Sequence, residues 1–403
     1  MTKNEDARRP TLWFILILGA LSAFGPLSID MFLPALPEVQ QDFHTTTSSV
    51  QLTLSCFMIG LALGNLFVGP LSDAIGRKKP LFMSMAIFTL ASIGILFTES
   101  ITVMIILRFI QGFTGGAGAV ISRAISSDMY HGKALTKFLA MLMLVNGVAP
   151  IIAPAIGGVL LLFTTWRTVF LILTIFGVIM LLGSQWKLPE SLPKAQRETG
   201  GIRAILSGFK SLLTTRRFMS PLVIQALTYV LLFSYISASP FLVQKVYEAS
   251  PQTFSVMFAV NGMGLIMMSQ VVSWLVDRYP MHMLLRMFTI LQIIGVLLVA
   301  CVLLWHLPLA LLFIGFFILI SPVAAIGTLG FSIAMDERTA GNGSASSLLG
   351  LVQFMLGGMV APLVGIRGEH DIMPFVYIIL TVAIGLVIAH IAHYRIFKQA
   401  RTH

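Results

Sequence analysis

The sequence predicts an all-α polytopic membrane protein of twelve transmembrane helices arranged in two six-helix halves. Three observations carry that reading. Of 403 residues, 57% are hydrophobic and only 10% charged, where soluble chains average about 25% charge. Apolar runs long enough to cross the ~30 Å hydrocarbon core, at 1.5 Å rise per residue, recur about twelve times. The Lys and Arg residues behind the net charge of +10 sit in alternate loops between those runs. That is a membrane pattern, not a nucleic-acid one.

In order, the predicted spans are Leu12–Leu33, Val50–Leu71, Pro80–Phe97, Ile101–Ala124, Leu135–Phe163 and Thr168–Trp186. The second set is Pro221–Val243, Phe254–Val276, Met283–Leu304, Pro308–Ile333, Ser344–Val364 and Pro374–His393. A charged tail, MTKNEDARRP, precedes the first span without a small-residue cleavage site and reads as uncleaved. The interruption Lys187–Arg217 holds Pro189, Pro193, Gly200 and Gly201 among many charges, the composition of a linker. The expected domains are a tail (1–10), an N-terminal bundle (11–188), a linker (189–218), a C-terminal bundle (219–396) and a tail (397–403).

Loop charges set the orientation. With the N-terminus cytoplasmic, the inner loops hold Lys3, Arg8, Arg9, Arg77, Lys78, Lys79, Lys133, Lys137, the basic linker, Arg278, Arg286, Arg338, Arg395, Lys398 and Arg401. The outer loops hold only Arg167, Lys245 and Arg367. Both termini are then cytoplasmic in the cell membrane, which requires an even number of spans. Cys56 and Cys301 stand singly in distant spans and support neither a disulfide framework nor a zinc site.

One side chain stands out in the first span. Between Thr11 and Leu33, Asp30 is the only ionisable residue, and a carboxylate at a helix centre costs roughly 2.5–3.5 kcal/mol on insertion scales. Lying four residues before Pro34, it can snorkel to the outer interface. The alternative, preferred here, is a proton or ion pathway, the usual employment of buried intramembrane acids. Arg108, seven residues into a span that enters from outside, lies at a similar depth, within about two helical turns. Opposite charges so placed are expected to pair. Burial favours the neutral acid and a nearby cation the charged one, so the pair would act as a proton switch, with Gln111 completing its hydrogen bonds.

A weak repeat links the halves. Gly69–Leu81, GPLSDAIGRKKPL, follows the second span, and SWLVDRYPMHMLL, again with an Asp–basic pair, follows the eighth. Gly69, Pro70 and Gly76 suit a tight turn, and Asp128 at the inner end of the fourth span can pair with Arg77. In the fifth span Pro150 and Pro154, flanked by Gly147, Gly157 and Gly158, predict a bent helix packed closely on a partner from the other half. The second half has no strongly buried acid. Gln225, Tyr229, Asn261 and Gln353 are its cavity candidates, among Met and Phe residues that suit an adaptable apolar pocket.

GPLSDAIGRKK resembles the loop signature G-x-L-x-D-x-x-G-R-[RK]-[RK] of the major facilitator superfamily, and RFIQG (Arg108–Gly112) its R-x-x-Q-G motif. NGVAPIIAPAIGG (Asn146–Gly158) is similar to the Pro/Gly motif of that family's proton-coupled antiporters. With SIDMFLPALP in the first span, the chain most resembles the bicyclomycin/chloramphenicol-resistance (Bcr/CflA) branch of the drug:proton antiporters. The resemblance implies that Asp73 faces the start of the eleventh helix and latches the halves together when the outside is open. The polar stretch GNGSASS (Gly341–Ser347) offers the matching helix start.

The function so read is proton-coupled efflux of lipophilic small molecules by alternating access. The partners are a lipophilic substrate, protons and the bilayer, with no nucleic acid, and the chain acts as a monomer. No cofactor or metal is implied, since the proton gradient supplies the energy. Transport of an endogenous metabolite, such as an amino acid, siderophore or sugar, is the rival on the same fold. A channel or receptor lacks a filter-like segment here, and an enzyme lacks a nucleophile–base constellation.

Overall fold

A computed structural model of the chain describes residues 12–130, 138, 142, 148–149, 151–197, 201–339 and 342–399. Among these the secondary structure is helical, and eleven helices are long and apolar enough to cross a membrane. They are α1 (Leu12–Asp30), α2 (Thr47–Ile75), α3 (Lys78–Phe97) and α4 (Ile101–Met129). The described part of the fifth span is α5 (Ile151–Leu160), and α6 is Arg167–Lys187. The second half comprises α7 (Arg216–Phe241), α8 (Pro251–Leu275), α9 (Met281–Leu304), α10 (Leu309–Asp336), α11 (Asn342–Val364) and α12 (Met373–Gln399).

Local chemistry explains the helix ends. The ring of Pro34 opposes the carbonyl four residues back, that of Asp30. α1 stops there, and the chain continues through a 3-10 turn (Leu33–Ala35) and a short helix, Leu36–Asp42. Thr46 caps α2 by accepting the Ser49 N–H at 3.2 Å. Gly76 ends α2 at φ +100°, a conformation that L side chains rarely adopt. α10 breaks where Ser321 precedes Pro322. Two features were not legible in the composition: an amphipathic linker helix, Gly201–Thr214, and the run of α12 on to Gln399.

The weak sequence repeat is a structural one. In the first half α1, α2 and α3 pack on α4, and α3 on α6. In the second half α7, α8 and α9 pack on α10, and α9 on α12, the same pairings six helices later. Backbone contact tightens the first half: a Cβ on Gly64 or Gly112 would lie 2.0 Å from the carbonyl oxygen of Phe113 or Phe57. Only glycine permits α2 and α4 to approach so closely. Large apolar side chains such as Leu90, Ile106, Ile179 and Ile384 stay exposed around the outside, the surface a bilayer covers.

With the partly described fifth span added to the eleven, the helices alternate so that Leu12 of α1 and Gln399 of α12 lie at one face, here the terminal face. The halves meet along α2–α11 and α5–α8, and the hydrogen bonds across this seam gather toward the opposite face. Ser48 Oγ donates to the Pro362 carbonyl (2.9 Å), Gln51 Nε2 to Ser237 (3.2 Å) and Gln244 Nε2 to Pro34 (3.1 Å). Gln252 Nε2 donates to Gly158 at 2.9 Å. At the face opposite the termini the two halves are thus bonded to each other.

Candidate functional site

Arg108 lies wholly inside the first half, at 0% exposure. Its guanidinium carbon sits 4.3 Å from the ring centre of Phe57, 5.1 Å from Phe32 and 5.6 Å from Phe170, so aromatic faces replace much of its solvent. Nη1 donates to Gln111 Oε1 at 2.5 Å and to the Ser28 carbonyl at 3.3 Å. Gln111 in turn donates Nε2 to Ser92 Oγ at 2.8 Å. The Nε and Nη2 atoms of Arg108 are buried without a partner among the described residues.

Asp30 is also buried, yet the expected ion pair with Arg108 does not form. Among the described residues no hydrogen bond or ion pair reaches the Asp30 carboxylate. Helix geometry supplies the reason. Leu21 and Ser28, two turns apart on α1, turn their carbonyls to Gly118 and Arg108 of α4. Asp30, two residues beyond Ser28, lies about 200° around the axis and faces away from α4. The turn that follows it, Leu33–Ala35, packs on α7 of the other half. Matching depth did not mean matching face.

Tyr235 was not among the residues singled out from the sequence. It is buried, accepts a hydrogen bond from Asn261 Nδ2 at 2.7 Å, stacks on Phe258 and meets Phe316 edge-on. A signal existed: Ser28 of α1 and Pro34 just beyond it, and Ser234 and Pro240 in α7, share the same six-residue spacing at the same place in each half.

Along α5 the two glycines serve different neighbours. A Cβ on Gly157 would strike the Met31 carbonyl at 2.2 Å, and one on Gly158 would strike Ser255 Oγ of α8 at 2.3 Å. Ser255 Oγ also donates to the Pro154 carbonyl at 2.8 Å. α5 is therefore clamped between α1 of its own half and α8 of the other. Gly147 and Pro150 lie outside the described residues.

At the terminal face the turn after α2 closes around Arg77, which forms ion pairs with Asp73 and, at 2.9 Å, with Asp128. It also donates to Ser72 Oγ at 2.8 Å, and Ser191 Oγ donates to Asp128 at 2.7 Å. Burial alone would lower the proton affinity of Arg77, but its bonds to Asp128 and Asp73 outweigh that and hold it above its ordinary value. Glu190 accepts the backbone N–H groups of Arg77 (2.8 Å) and Lys78 (3.2 Å), an acidic cap on α3. A side chain on Gly76 would collide with Glu190 at 2.6 Å. Gly69 sits two turns back, its carbonyl accepting from Ser72 Oγ at 2.8 Å.

A family model described as Major Facilitator Superfamily matches residues 12–362. The chain belongs to the major facilitator superfamily. It is 38% identical over 371 residues to the "Uncharacterized MFS-type transporter YdgK" of Bacillus subtilis, covering 92% of each chain. It is 27% identical to the "Bicyclomycin resistance protein homolog" of Haemophilus influenzae, over 96% of this chain and 97% of that one. The latter likeness agrees with the Bcr/CflA branch that the motifs resemble. Among solved structures, a point mutant of the nucleoside transporter NupG superposes with a TM-score of 0.76 at 14% identity, covering 95% and 99% of the two chains. That likeness shows the fold. As a major facilitator the chain is a multi-pass membrane transporter of small molecules, not an enzyme.

Of two further expectations for this major facilitator, one concerns its other arrangement and one is sharpened by its geometry. Asp73 is expected to face the start of α11 when the outside is open, and the seam described above is bonded at the face opposite the termini. Among the described residues its bond is to Arg77, its side chain is 47% exposed, and no hydrogen bond or ion pair carries it to α11. Gly341 lies outside the described residues. The halves join at the opposite face, and at the terminal face the linker helix lies against both α2 and α11. The second concerns the four cavity candidates, which fall into more than one neighbourhood. Asn261 joins Tyr235, whereas Tyr229 stands against Gly327 of α10. Gln225 lies beside Gly330 with its Oε1 buried and unpartnered among the described residues.

Proposed function

We propose that this transporter exports lipophilic small molecules in exchange for protons, by alternating access between its two halves. It works as a monomer in the cytoplasmic membrane, with both termini inside and no cofactor. One observation carries the reading: Asp30 is buried at the break of α1, where the following turn packs on α7 of the other half, and no hydrogen bond or ion pair among the described residues engages it. A carboxylate there is tolerated when neutral and expensive when charged. Its protonation therefore changes which arrangement of the halves is stable.

The cycle follows from the parts. An outward-open carrier takes a proton onto Asp30 and releases its substrate. The arrangement described above, closed at the face opposite the termini with Asp30 unpaired, corresponds to the proton-loaded carrier shut to the outside. Loss of the proton to the cytoplasm charges Asp30 and draws it toward the free Nε and Nη2 donors of Arg108. Substrate then enters beside Tyr235, Phe258 and Phe316, whose aromatic faces suit a lipophilic molecule. Asp73, released from Arg77, latches onto α11 when the outside reopens. The name of the Haemophilus relative supports drugs as the substrate class.

The test is a resistance profile of cells overexpressing wild type or Asp30→Asn. Resistance present in wild type and lost in the variant, at equal membrane abundance, supports the proposal. No resistance to any compound would move the assignment to an endogenous metabolite. Export from proteoliposomes that ignores an imposed pH gradient would remove proton coupling.

A further inference from the structure

Between α9 and α12, at the terminal face, lies a lateral cavity of about 530 Å³, remote from the seam and from Asp30. Its walls divide by chemistry. Arg286 near the start of α9, with Arg395 and Lys398 near the end of α12, line the part at the interface. Ile290 and Ile391, one turn further into the bilayer, line the rest. Residues 286 and 290, like 391 and 395, are four apart, so each cation stands over an apolar residue on one helix face.

Basic residues near an interface ordinarily snorkel to headgroups wherever they stand. Here they converge on a concavity. All three cations are exposed, and among the described residues no carboxylate forms an ion pair with any of them. His390 lines the same cavity, with its Nε2 buried and without a hydrogen-bond partner there. A free anion would use the cations and leave the aliphatic wall bare. A neutral lipid would cover the wall and leave three charges unanswered. An amphiphile with acyl chains and a phosphate headgroup of net negative charge answers both.

We propose that this cavity binds one anionic phospholipid, its phosphate held by Arg286, Arg395 and Lys398 and an acyl chain laid along Ile290 and Ile391. Native mass spectrometry of the purified full-length protein, titrated with dioleoylphosphatidylglycerol or dioleoylphosphatidylcholine, tests this. Wild type retains one phosphatidylglycerol in preference to phosphatidylcholine. Its affinity falls about fivefold for each cation removed, so on the order of a hundredfold for Arg286→Gln/Arg395→Gln/Lys398→Gln. Ile290→Trp fills the cavity, keeps the charges and loses the same lipid, and it decides the matter if the triple variant does not fold. Sodium phosphate at millimolar concentration leaves the lipid in place. Displacement by phosphate would assign the site to a soluble anion and overturn the proposal. Equal retention of the two lipids by wild type would overturn it too, as would unchanged phosphatidylglycerol affinity in the variants.

Discussion

Arg108 donates to the backbone carbonyl of Ser28, at 3.3 Å, and not to the carboxylate of Asp30 two residues further on. The distinction matters for mechanism. A guanidinium held by a carbonyl, by Gln111 and by three aromatic faces keeps its place whether or not Asp30 is charged. It is a fixed positive reference against which a proton can come and go.

That reference depends on Gln111. Gln111→Leu removes the 2.5 Å acceptor and leaves another donor of Arg108 buried and unanswered, a loss of about 1–3 kcal/mol. The unfolding temperature of the detergent-solubilised variant should fall. Arg108→Lys should not rescue transport in an otherwise wild-type chain, because an ammonium cannot reproduce the planar stacking on Phe57. Drug export from proteoliposomes measures this.

If Asp30 carries the proton, Asp30→Asn uncouples the carrier without destroying its binding site. Substrate exchange across proteoliposomes at equal pH on both sides should continue near the wild-type rate. Uphill export driven by a pH gradient should cease. Loss of both activities in a well-folded variant would show Asp30 to be structural.

The two carboxylates on Arg77 should separate by readout. The Asp128 side chain is 16% exposed and that of Asp73 is 47% exposed. Exposed pairs contribute only about 0–1 kcal/mol, whereas breaking a buried one costs about 3–5 kcal/mol; partly buried Asp128 belongs between these limits. Asp128→Asn should therefore lower the unfolding temperature more than Asp73→Asn does. Transport should be lost in Asp73→Asn all the same, if that side chain is the latch. An Asp73→Asn variant exporting at full rate would retire that role.

The seam between α5 and α8 can be locked. A Cβ at Gly158 would lie 3.1 Å from the Ser255 Cβ, a few tenths of an ångström inside the usual disulfide range of about 3.5–4.5 Å. Gly158→Cys/Ser255→Cys, with Cys56 and Cys301 replaced by serine, should cross-link on oxidation. Transport should stop, and reduction should restore it. A cross-linked carrier that still turns over would exclude alternation at this seam.

Packing in the first half sets a further contrast. Gly112→Val would drive a side chain into the Phe57 backbone, which no rotamer avoids, and should sharply reduce the amount of protein in the membrane. Gly350→Ala meets nothing within 4 Å and should express normally. Immunoblotting of membranes compares the two.

Much of this molecule was legible before any coordinates. Helix number and placement follow from hydrophobic run length, because a bilayer admits backbone only as helices or closed barrels. The pairing of Arg77 with Asp128 was legible because both stand at the ends of adjacent spans. The pairing of Asp30 with Arg108 was misread for the opposite reason. Depth along a helix can be counted in the sequence, but the rotation of α1 against α4 depends on packing at Gly118 and Leu21.

By itself the chain of residues determined the solvent this protein lives in, its number of crossings, its doubled architecture and the one acid misplaced in lipid. These are properties of composition and spacing, and each is local. Only the tertiary structure decided which way that acid turns, what holds the buried arginine, where the halves touch, and that three scattered cations share one cavity. Those outcomes depend on the relative rotation and approach of helices far apart in sequence, set by backbone contacts at a few glycines that no count along the chain records.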